Sequence, residues 1–290
     1  MLKAPTHQVA GHQAQNGKLG PLVDDSGLFY KPLQGGGRGS HELAFYTSFS
    51  SNPKLPPHIR RFFPEFHGTR LVEASDGSGL LPHLVLEDLT FGKPNPSVMD
   101  VKIGSRTWAP QQPEDYIAKC LKKDRGCSSP ALGFRLEGVQ MYAASETGYW
   151  KPERKSVQNL SAAEVGLVLR KFVSSNTSSD CLFAPAIYGG PHGVLSRLLE
   201  LKAWFEEQTV YHFCACSILV VYDKEIAGRG TGPAGVEIKL VDFAHVLDGH
   251  GVIDHNFLGG LCSLIKFISD VLKTSEEHYS CDALASFECT

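Results

Sequence analysis

The spacing of apolar positions changes several times along the chain, and each change predicts an element. Gly27–Lys31 (GLFYK) alternates apolar and polar residues within a Gly- and Pro-rich stretch, which predicts short antiparallel strands. After the Gly-rich run Gln34–Gly39, Leu43, Tyr46 and Phe49 recur about every third residue, as on one face of a helix, until Pro53, Pro56 and Pro57 end it. Leu84–Leu89 (LVLEDL) reads as a strand, and the Gly/Pro break Phe91–Pro96 after it as the boundary between two lobes.

Beyond the break, Ser97–Gly104 is a second clear strand. Pro113–Lys123 is a helix with Pro at its start and Gly126 soon after its end. Ser161-Ala-Ala-Glu164 forms a capping box that opens a helix through Phe172, and Ser174–Asp180 is a polar loop expected to be mobile. Val194, Leu198, Leu201 and Phe205 line one helical face. Ser217–Tyr222 and Glu237–Phe243, joined by the Gly-rich loop Gly228–Gly235, predict a hairpin. Leu261, Leu264, Ile265, Ile268 and Leu272 mark a last helix, and the polar tail from Thr274 is expected to be disordered. The fold class is α+β, with a first lobe over residues 1–90, a second over 91–273 and a tail over 274–290.

Composition narrows the function classes. The 290 residues hold 28 Lys+Arg and 31 Asp+Glu, a net charge of −3 that gives no reason to seek nucleic acid or anionic membrane. The longest apolar run, Phe213–Tyr222, is about half a membrane span and reads as a buried strand. The first residues lack the apolar core of a secretory signal, so the eight cysteines are expected as reduced thiols in the cytosol or nucleus. Cys214-x-Cys216 has no second Cys/His pair at zinc spacing, and both cysteines are expected to face a core.

The net charge hides an asymmetry. Stretches 102–125 and 151–171 carry eleven basic and five acidic residues, a net of +6, which leaves 17 basic and 26 acidic residues, a net of −9, for the rest of the chain. Lys119 and Lys123, four apart on the predicted helix, share a face, and their repulsion costs stability unless an anion settles it.

Four segments carry candidate chemistry. In Pro96-Ser-Val-Met-Asp-Val-Lys-Ile-Gly104, strand alternation sends Met99, Val101 and Ile103 into a core and Asp100 and Lys102 together to the other face. Read alone, this is either a charged pair aimed into a cleft or a weak pair on a solvated edge. Asp242 ends a strand and precedes Phe243, a placement phosphotransferases use to hold Mg²⁺ against nucleotide phosphates. Lys31 and Glu42 flank the Gly-rich turn as a strand lysine and a helix glutamate, able to hold an ammonium on phosphate oxygens; the turn itself is no Walker loop. Leu84–Leu89 could offer backbone groups to an adenine edge, or be an ordinary apolar strand.

Taken in order, HQVAGH (7–12), Lys31 through Tyr46, LVLEDLT (84–90), PSVMDVKIG (96–104), SILVVY (217–222) and LVDFAHVLDG (240–249) resemble the inositol polyphosphate kinase family, and within it the short plant-type multikinases. The resemblance implies a two-lobed fold distantly like protein kinases, with ATP in the cleft. By matched position, Lys31 contacts ATP phosphates, Glu42 braces it, Glu87 and Leu89 hold the adenine, Asp100 meets the ribose and Asp242 holds Mg²⁺. Lys102 lies between the γ-phosphate and the attacked hydroxyl, with His245 nearby. Lys119 and Lys123 fall on the family's inositol-phosphate-binding helix, within a helical segment at about 105–135. Arg170 and Lys171 are further expected substrate contacts.

The implied activity is ATP-dependent phosphorylation of inositol trisphosphate and tetrakisphosphates to the pentakisphosphate. The implied partners are inositol polyphosphates alone, with no nucleic acid, no membrane span and a monomeric state. A nuclear and cytoplasmic location is a family expectation. Two alternatives stand beside this: an inositol hexakisphosphate kinase, or a non-catalytic inositol-phosphate-binding scaffold in nuclear complexes.

Overall fold

The computed structural model describes residues 1–287 apart from 12, 15–16, 145–147, 176–179 and 229–234. The polar loop 174–180 and the Gly-rich loop 228–235 therefore lie partly outside the described residues.

The first lobe places β1 (Leu22–Val23), β2 (Leu28–Pro32), α1 (Arg38–Ser51), α2 (Pro57–Arg60), β3 (Phe66–Glu73) and β4 (Leu80–Glu87) around an antiparallel sheet of order β1-β2-β4-β3. On β2 and β4, Tyr30 and Val85 pack with Leu22 and Val72 on one face, while Leu84 and Leu86 face α1 and the second lobe. The α1 face turned inward consists of Glu42, Phe45, Tyr46 and Phe49, with Leu43 packed at its margin. β4 ends at Glu87, so Leu89 sits in the following turn rather than on the strand.

The second lobe is built on β5 (Pro96–Ile103). It is followed by α3 (Glu114–Arg125), α4 (Ser129–Leu132), β6 (Phe134–Ala144), β7 (Gly148–Trp150), α5 (Arg154–Gln158), α6 (Ala162–Phe172), α7 (Ala184–Ile187), α8 (Val194–Glu207) and β8 (Tyr211–Phe213). The chain ends with β9 (Ser217–Asp223), α9 (Lys224–Gly228), β10 (Glu237–Val241), β11 (Val246–Asp248) and α10 (His255–Phe287). The main sheet runs β10-β9-β5-β6-β7, all antiparallel, with β5 at its centre; β8 and β11 form a separate two-stranded sheet.

Among the described residues of the second lobe, the helix and strand readings are realised with two exceptions. The capping box at Ser161 is present, its hydroxyl accepting from the Glu164 N–H and the Glu164 carboxylate accepting from the Ser161 N–H. Val194, Leu198, Leu201 and Phe205 are the buried residues of α8. β9 and β10 pair as the predicted hairpin, but α9 occupies part of its connection. The segment expected as a disordered tail instead continues α10 to Phe287; no Gly or Pro interrupts it after Thr274, so nothing stops the helix.

Lys224 shows how the fold settles a buried cation. Its ammonium donates to the carbonyls of Tyr142, Ala143 and Ser175, so each of its three donors has an acceptor. Cys120, Cys127, Cys214, Cys216 and Cys262 are thiols outside any disulfide, Cys214 and Cys216 are buried, and no described helix is long and apolar enough to cross a membrane.

The lobes are joined by aromatic packing. Phe45 and Phe49 of α1, with Phe63, meet Phe213 and Phe243 of the second lobe, with ring centroids 4.0 to 6.2 Å apart. Trp204 closes the cluster edge-on against Phe63. Such a cluster buries large apolar area and prefers the tilted and edge-on geometries seen here. Phe63→Ala should therefore lower the free energy of unfolding by about 3–5 kcal/mol in a denaturant titration; a loss below about 1 kcal/mol would contradict the tight packing.

Candidate functional site

β5 forms the floor of the cleft between the lobes. Met99, Val101 and Ile103 are fully buried in the core, and Asp100 and Lys102 share the opposite face, as alternation requires. Gly104 ends the strand at φ +106°, where a Cβ would come within 2.4 Å of the Asn256 amide, so only glycine fits. The Lys102 ammonium donates to the Ala215 carbonyl at 2.9 Å.

Asp100 is 6% exposed, and among the described residues neither its Oδ1 nor the buried hydroxyl of neighbouring Ser217 has a partner at full hydrogen-bond geometry, although the two groups lie close enough to act on each other. Burial, and then the Asp242 carboxylate, push the Asp100 carboxyl up to about 7 against the pull of Lys102. Two unsatisfied polar groups on a cleft floor are poised for a ligand that brings hydrogen-bonding groups.

Lys31 of β2 faces inward from the first lobe. Its ammonium donates to Glu42 Oε1 of α1 at 2.8 Å and to Asp242 Oδ1 at 2.7 Å, across the cleft. Glu42 is almost fully buried, and the same Oε1 accepts the Phe243 N–H at 3.1 Å. Burial works against the Lys31 charge, but Asp242 and Glu42 outweigh it and raise its pKa. Its partial burial at the cleft would by itself raise the Asp242 pKa, yet Lys31 and Lys102 hold it at about 2. Asp242 itself has φ +70°, a left-handed conformation that Asp tolerates better than most residues.

On the far side of Asp242, three elements converge. Burial, then the charges of Arg38, Lys102 and His41, lower the His245 pKa, while Asp242 opposes them. The Tyr116 ring of α3 lies 6.3 Å from the His245 ring. Lys119 and Lys123 extend from the same helix; Lys119 is exposed, and Lys123 feels Arg135, Glu137, Lys102 and Arg154. The structure thus brings Lys31, Glu42, Asp100, Lys102, Asp242 and His245 together, with Lys123 at the margin.

Arg38 and His41 belong to this site and were not singled out from the sequence. A signal existed. α1 starts without a side-chain cap and without an acidic residue in its first turn, directly after Gly36 and Gly37 in positive-φ conformations. A cation at a helix N-terminus opposes the helix dipole and is favourable only beside an anion.

Other expected site residues are placed differently. The Glu87 side chain turns to Lys239, which donates to its Oε2 at 2.8 Å, and the Glu87 N–H donates to the Glu65 carbonyl. Leu89 packs its side chain with Val9, Val98 and Val221, while its N–H has no backbone partner among the described residues. Arg170 and Lys171 are engaged outside the cluster: Arg170 donates to Thr274 on α10 at 2.6 Å, and the Lys171 ammonium sits 4.2 Å from the Trp150 ring. They lie close to the other basic residues in sequence, but α6 packs on α10, which turns Arg170 away from the cleft.

Among the described residues no group of three or more His, Cys, Asp or Glu could by itself hold a metal ion. The donor set still fits Mg²⁺ or Mn²⁺ shared with a phosphate ligand: such ions bind through one or two carboxylates and take their remaining oxygens from phosphate and water. Asp242, with 46% of its side chain exposed to the cleft, is the carboxylate so placed.

Comparisons with known proteins place the chain in one family. Residues 83–269 match the family model described as inositol polyphosphate kinase. Inositol polyphosphate multikinase beta of Arabidopsis thaliana is 59% identical, with 97% of each chain covered. A solved structure of an inositol phosphate multikinase superposes with a TM-score of 0.69 at 53% identity, covering 79% of this chain and 99% of that one. The inositol phosphate multikinase of S. cerevisiae, solved with ADP and Mn²⁺, shares the fold at a TM-score of 0.64 and 17% identity, covering 84% of this chain and 99% of that one.

The raised Asp100 carboxyl has a measurable consequence. A group whose pKa is higher folded than unfolded stabilises the fold below its unfolded value near 3.8, and that contribution is lost as pH rises through about 7. Asp100→Asn should thus match the wild type in thermal stability near pH 4 and exceed it by more than about 1 kcal/mol above pH 7. Parallel stability curves across this range would refute the assignment.

Proposed function

Because this chain belongs to the inositol polyphosphate kinase family, we propose that it is a multikinase that transfers the γ-phosphoryl group of ATP to inositol trisphosphate and tetrakisphosphates, ending at the pentakisphosphate. The observation that carries this reading is the single cleft in which Lys31, Glu42, Asp100, Lys102, Asp242 and His245 converge. A scaffold that only bound inositol phosphates would have no use for the Lys31–Glu42–Asp242 arrangement on the nucleotide side.

Each side chain has a role that follows from charge and position. Lys31, held by Glu42, contacts the ATP phosphates. The carbonyl of Glu87 and the N–H of Leu89 take the adenine edge, a role for which the Leu89 N–H is available. Asp100 meets the ribose hydroxyls, filling the unpartnered Oδ1 on the floor. Asp242 would hold the divalent ion, Mg²⁺ in the cell, which supplies charge neutralisation across the phosphates. Lys102 lies between the γ-phosphoryl group and the attacked ring hydroxyl. Phosphoryl transfer runs through a loose transition state, so aligning donor and acceptor and neutralising oxygen charge contribute more than proton abstraction.

On the acceptor side, Arg38, Lys119 and Lys123 bring positive charge to the space left for a polyanion, with His41 and the imidazole of His245 beside them. Cations gathered this way grip phosphates by charge and specify ring orientation only loosely, which suits several successive acceptors. Arg170 and Lys171, engaged by Thr274 and Trp150, are not part of this surface.

Two tests follow. Lys102→Ala should reduce transfer to inositol trisphosphate by more than about a thousandfold, with ATP affinity largely retained; near wild-type turnover would sink its role. Removing divalent ions with EDTA should stop product formation, and Mg²⁺ or Mn²⁺ should restore it. Chromatographic resolution of the products identifies the acceptors, and no turnover on any inositol phosphate would favour the scaffold.

A further inference from the structure

α3 is held in place by a carboxylate rather than by a hydrophobic face. Its one buried residue is Asp124, in the last turn; Tyr116, Ile117 and Cys120 are half-buried, and Leu121 is exposed. A surface helix ordinarily docks through an apolar stripe. An acid in the last turn also opposes the helix dipole, and burying it costs free energy unless it is fully paired. Asp124 therefore stands where helix formation alone would not put it.

Both of its oxygens are engaged. Oδ1 accepts from the Thr107 hydroxyl at 3.0 Å and from the Arg135 guanidinium at 3.3 Å, and Oδ2 accepts from the Thr107 N–H at 3.3 Å. Thr107 and Arg135 are themselves buried. Arg135 also donates to Ser129 Oγ of α4 at 3.1 Å, and its Nε donates to Glu137 Oε1 at 2.7 Å. β6 pairs with β5 as Asp100 opposite Gly138 and Val101 opposite Leu136, so Glu137 is an extra residue in β6. A bulge of this kind re-aims a side chain while the strand on either side keeps its faces, and Leu136 and Val139 both remain in the core. Glu137 Oε2 accepts from the Arg154 guanidinium and the Gln158 amide, both at 2.6 Å. Asp124 is thus tied through Arg135 to a braced position in the main sheet.

The place of this link decides what it does. The Gly104 N–H donates to the Gly133 carbonyl at 2.8 Å, so residues 105–132 leave and rejoin the sheet at one point, between the end of β5 and the start of β6. Inside that excursion Thr107 and Asp124 close a second base, and residues 108–123 between them carry Tyr116, Lys119 and Lys123. With no buried apolar face to dock α3, the direction of these side chains follows from how that base is fixed. Arg135, which fixes it, stands opposite Lys102 in the pairing of β6 with β5, so α3 and Lys102 are set against the same rung of the sheet. We propose that Asp124 is a positioning residue for the acceptor: by binding Thr107 and Arg135 at once, it sets where α3 holds its cations relative to Lys102. This rests on the reading of Lys119 and Lys123 as inositol-phosphate contacts.

The experiment measures kcat/KM for inositol trisphosphate and KM for ATP in the wild type, Asp124→Asn, Thr107→Val and Thr107→Ser. Asp124→Asn removes the charge that Arg135 meets, and Thr107→Val keeps the shape of the side chain while removing its donor. Each should lower kcat/KM for inositol trisphosphate by about tenfold, with KM for ATP within about twofold of the wild type. Thr107→Ser restores the hydroxyl and should return kcat/KM to within about twofold of the wild type. An unchanged kcat/KM in Thr107→Val, a KM for ATP that rises by the same factor, or a loss in Thr107→Ser as large as in Thr107→Val would overturn the proposal. If Asp124→Asn does not fold, the two Thr107 variants decide by the same outcomes. A wild-type protein that neither binds nor phosphorylates inositol trisphosphate would instead refute the reading of α3 as an acceptor surface, and the proposal with it.

Discussion

The site depends on one buried carboxylate that cannot be left unpaired. Glu42 lies against the aromatic cluster, where an isolated charge is prohibitively costly, so Lys31 and the Phe243 N–H must both reach it. That requirement draws β2 toward α1 and seats the turn after β10 against the first lobe. Asp242 is then delivered to the same ammonium from the opposite side. The Lys31–Glu42–Asp242 arrangement is set by satisfying Glu42, and the aromatic rings around it exclude the water that would otherwise do so.

A second constraint governs the floor. A central strand buried on both sides offers few routes for charge, and β5 uses the alternation of its pleat to send one acid and one base to the cleft while its other face remains core. β6 reaches the same end differently, with a bulge that inserts a charged residue without disturbing the apolar positions on either side. Asp100 and Lys102 are therefore mounted on the central strand of the sheet, where their positions are fixed by hydrogen bonds between strands rather than by loops. The cations on α1 and α3 are carried by helices outside the sheet.

Much of this was legible in the sequence, and the limits have physical causes. The acid–base alternation of Asp100 and Lys102, the Asp242-Phe243 strand end, the Lys31–Glu42 spacing and the capping box at Ser161 depend on local periodicity, which survives folding unchanged. Arg170 and Lys171 show where such reasoning fails: basic residues clustered along the chain need not cluster in space, and the packing of α6 on α10 settled where they went. Arg38 and His41 were hidden for the opposite reason, because their meaning comes from a helix terminus and a distant histidine. Glu137 left a trace that only strand pairing explains. The apolar residues of β6 at 134, 136, 139, 141 and 143 are spaced by two, then three, then two, and the step of three is the bulge.

The N-terminal segment bears on how the two lobes can move. Lys3 bridges to Val23 on the first sheet, while six residues later the Val9 carbonyl lies so close to Gly138 on the second that a Cβ there would come within 2.1 Å. Val9 also packs on Leu89, beside the chain that joins the lobes covalently. The lobes are thus coupled twice along one edge of the cleft, once by a peptide connection and once by a strap. With the aromatic cluster and the Lys31–Asp242 and Glu42–Phe243 contacts also joining the lobes, these two attachments brace the remaining edge, so that the lobes keep one relative orientation. A nucleotide and an acceptor entering the cleft would then meet in the one alignment that this orientation allows.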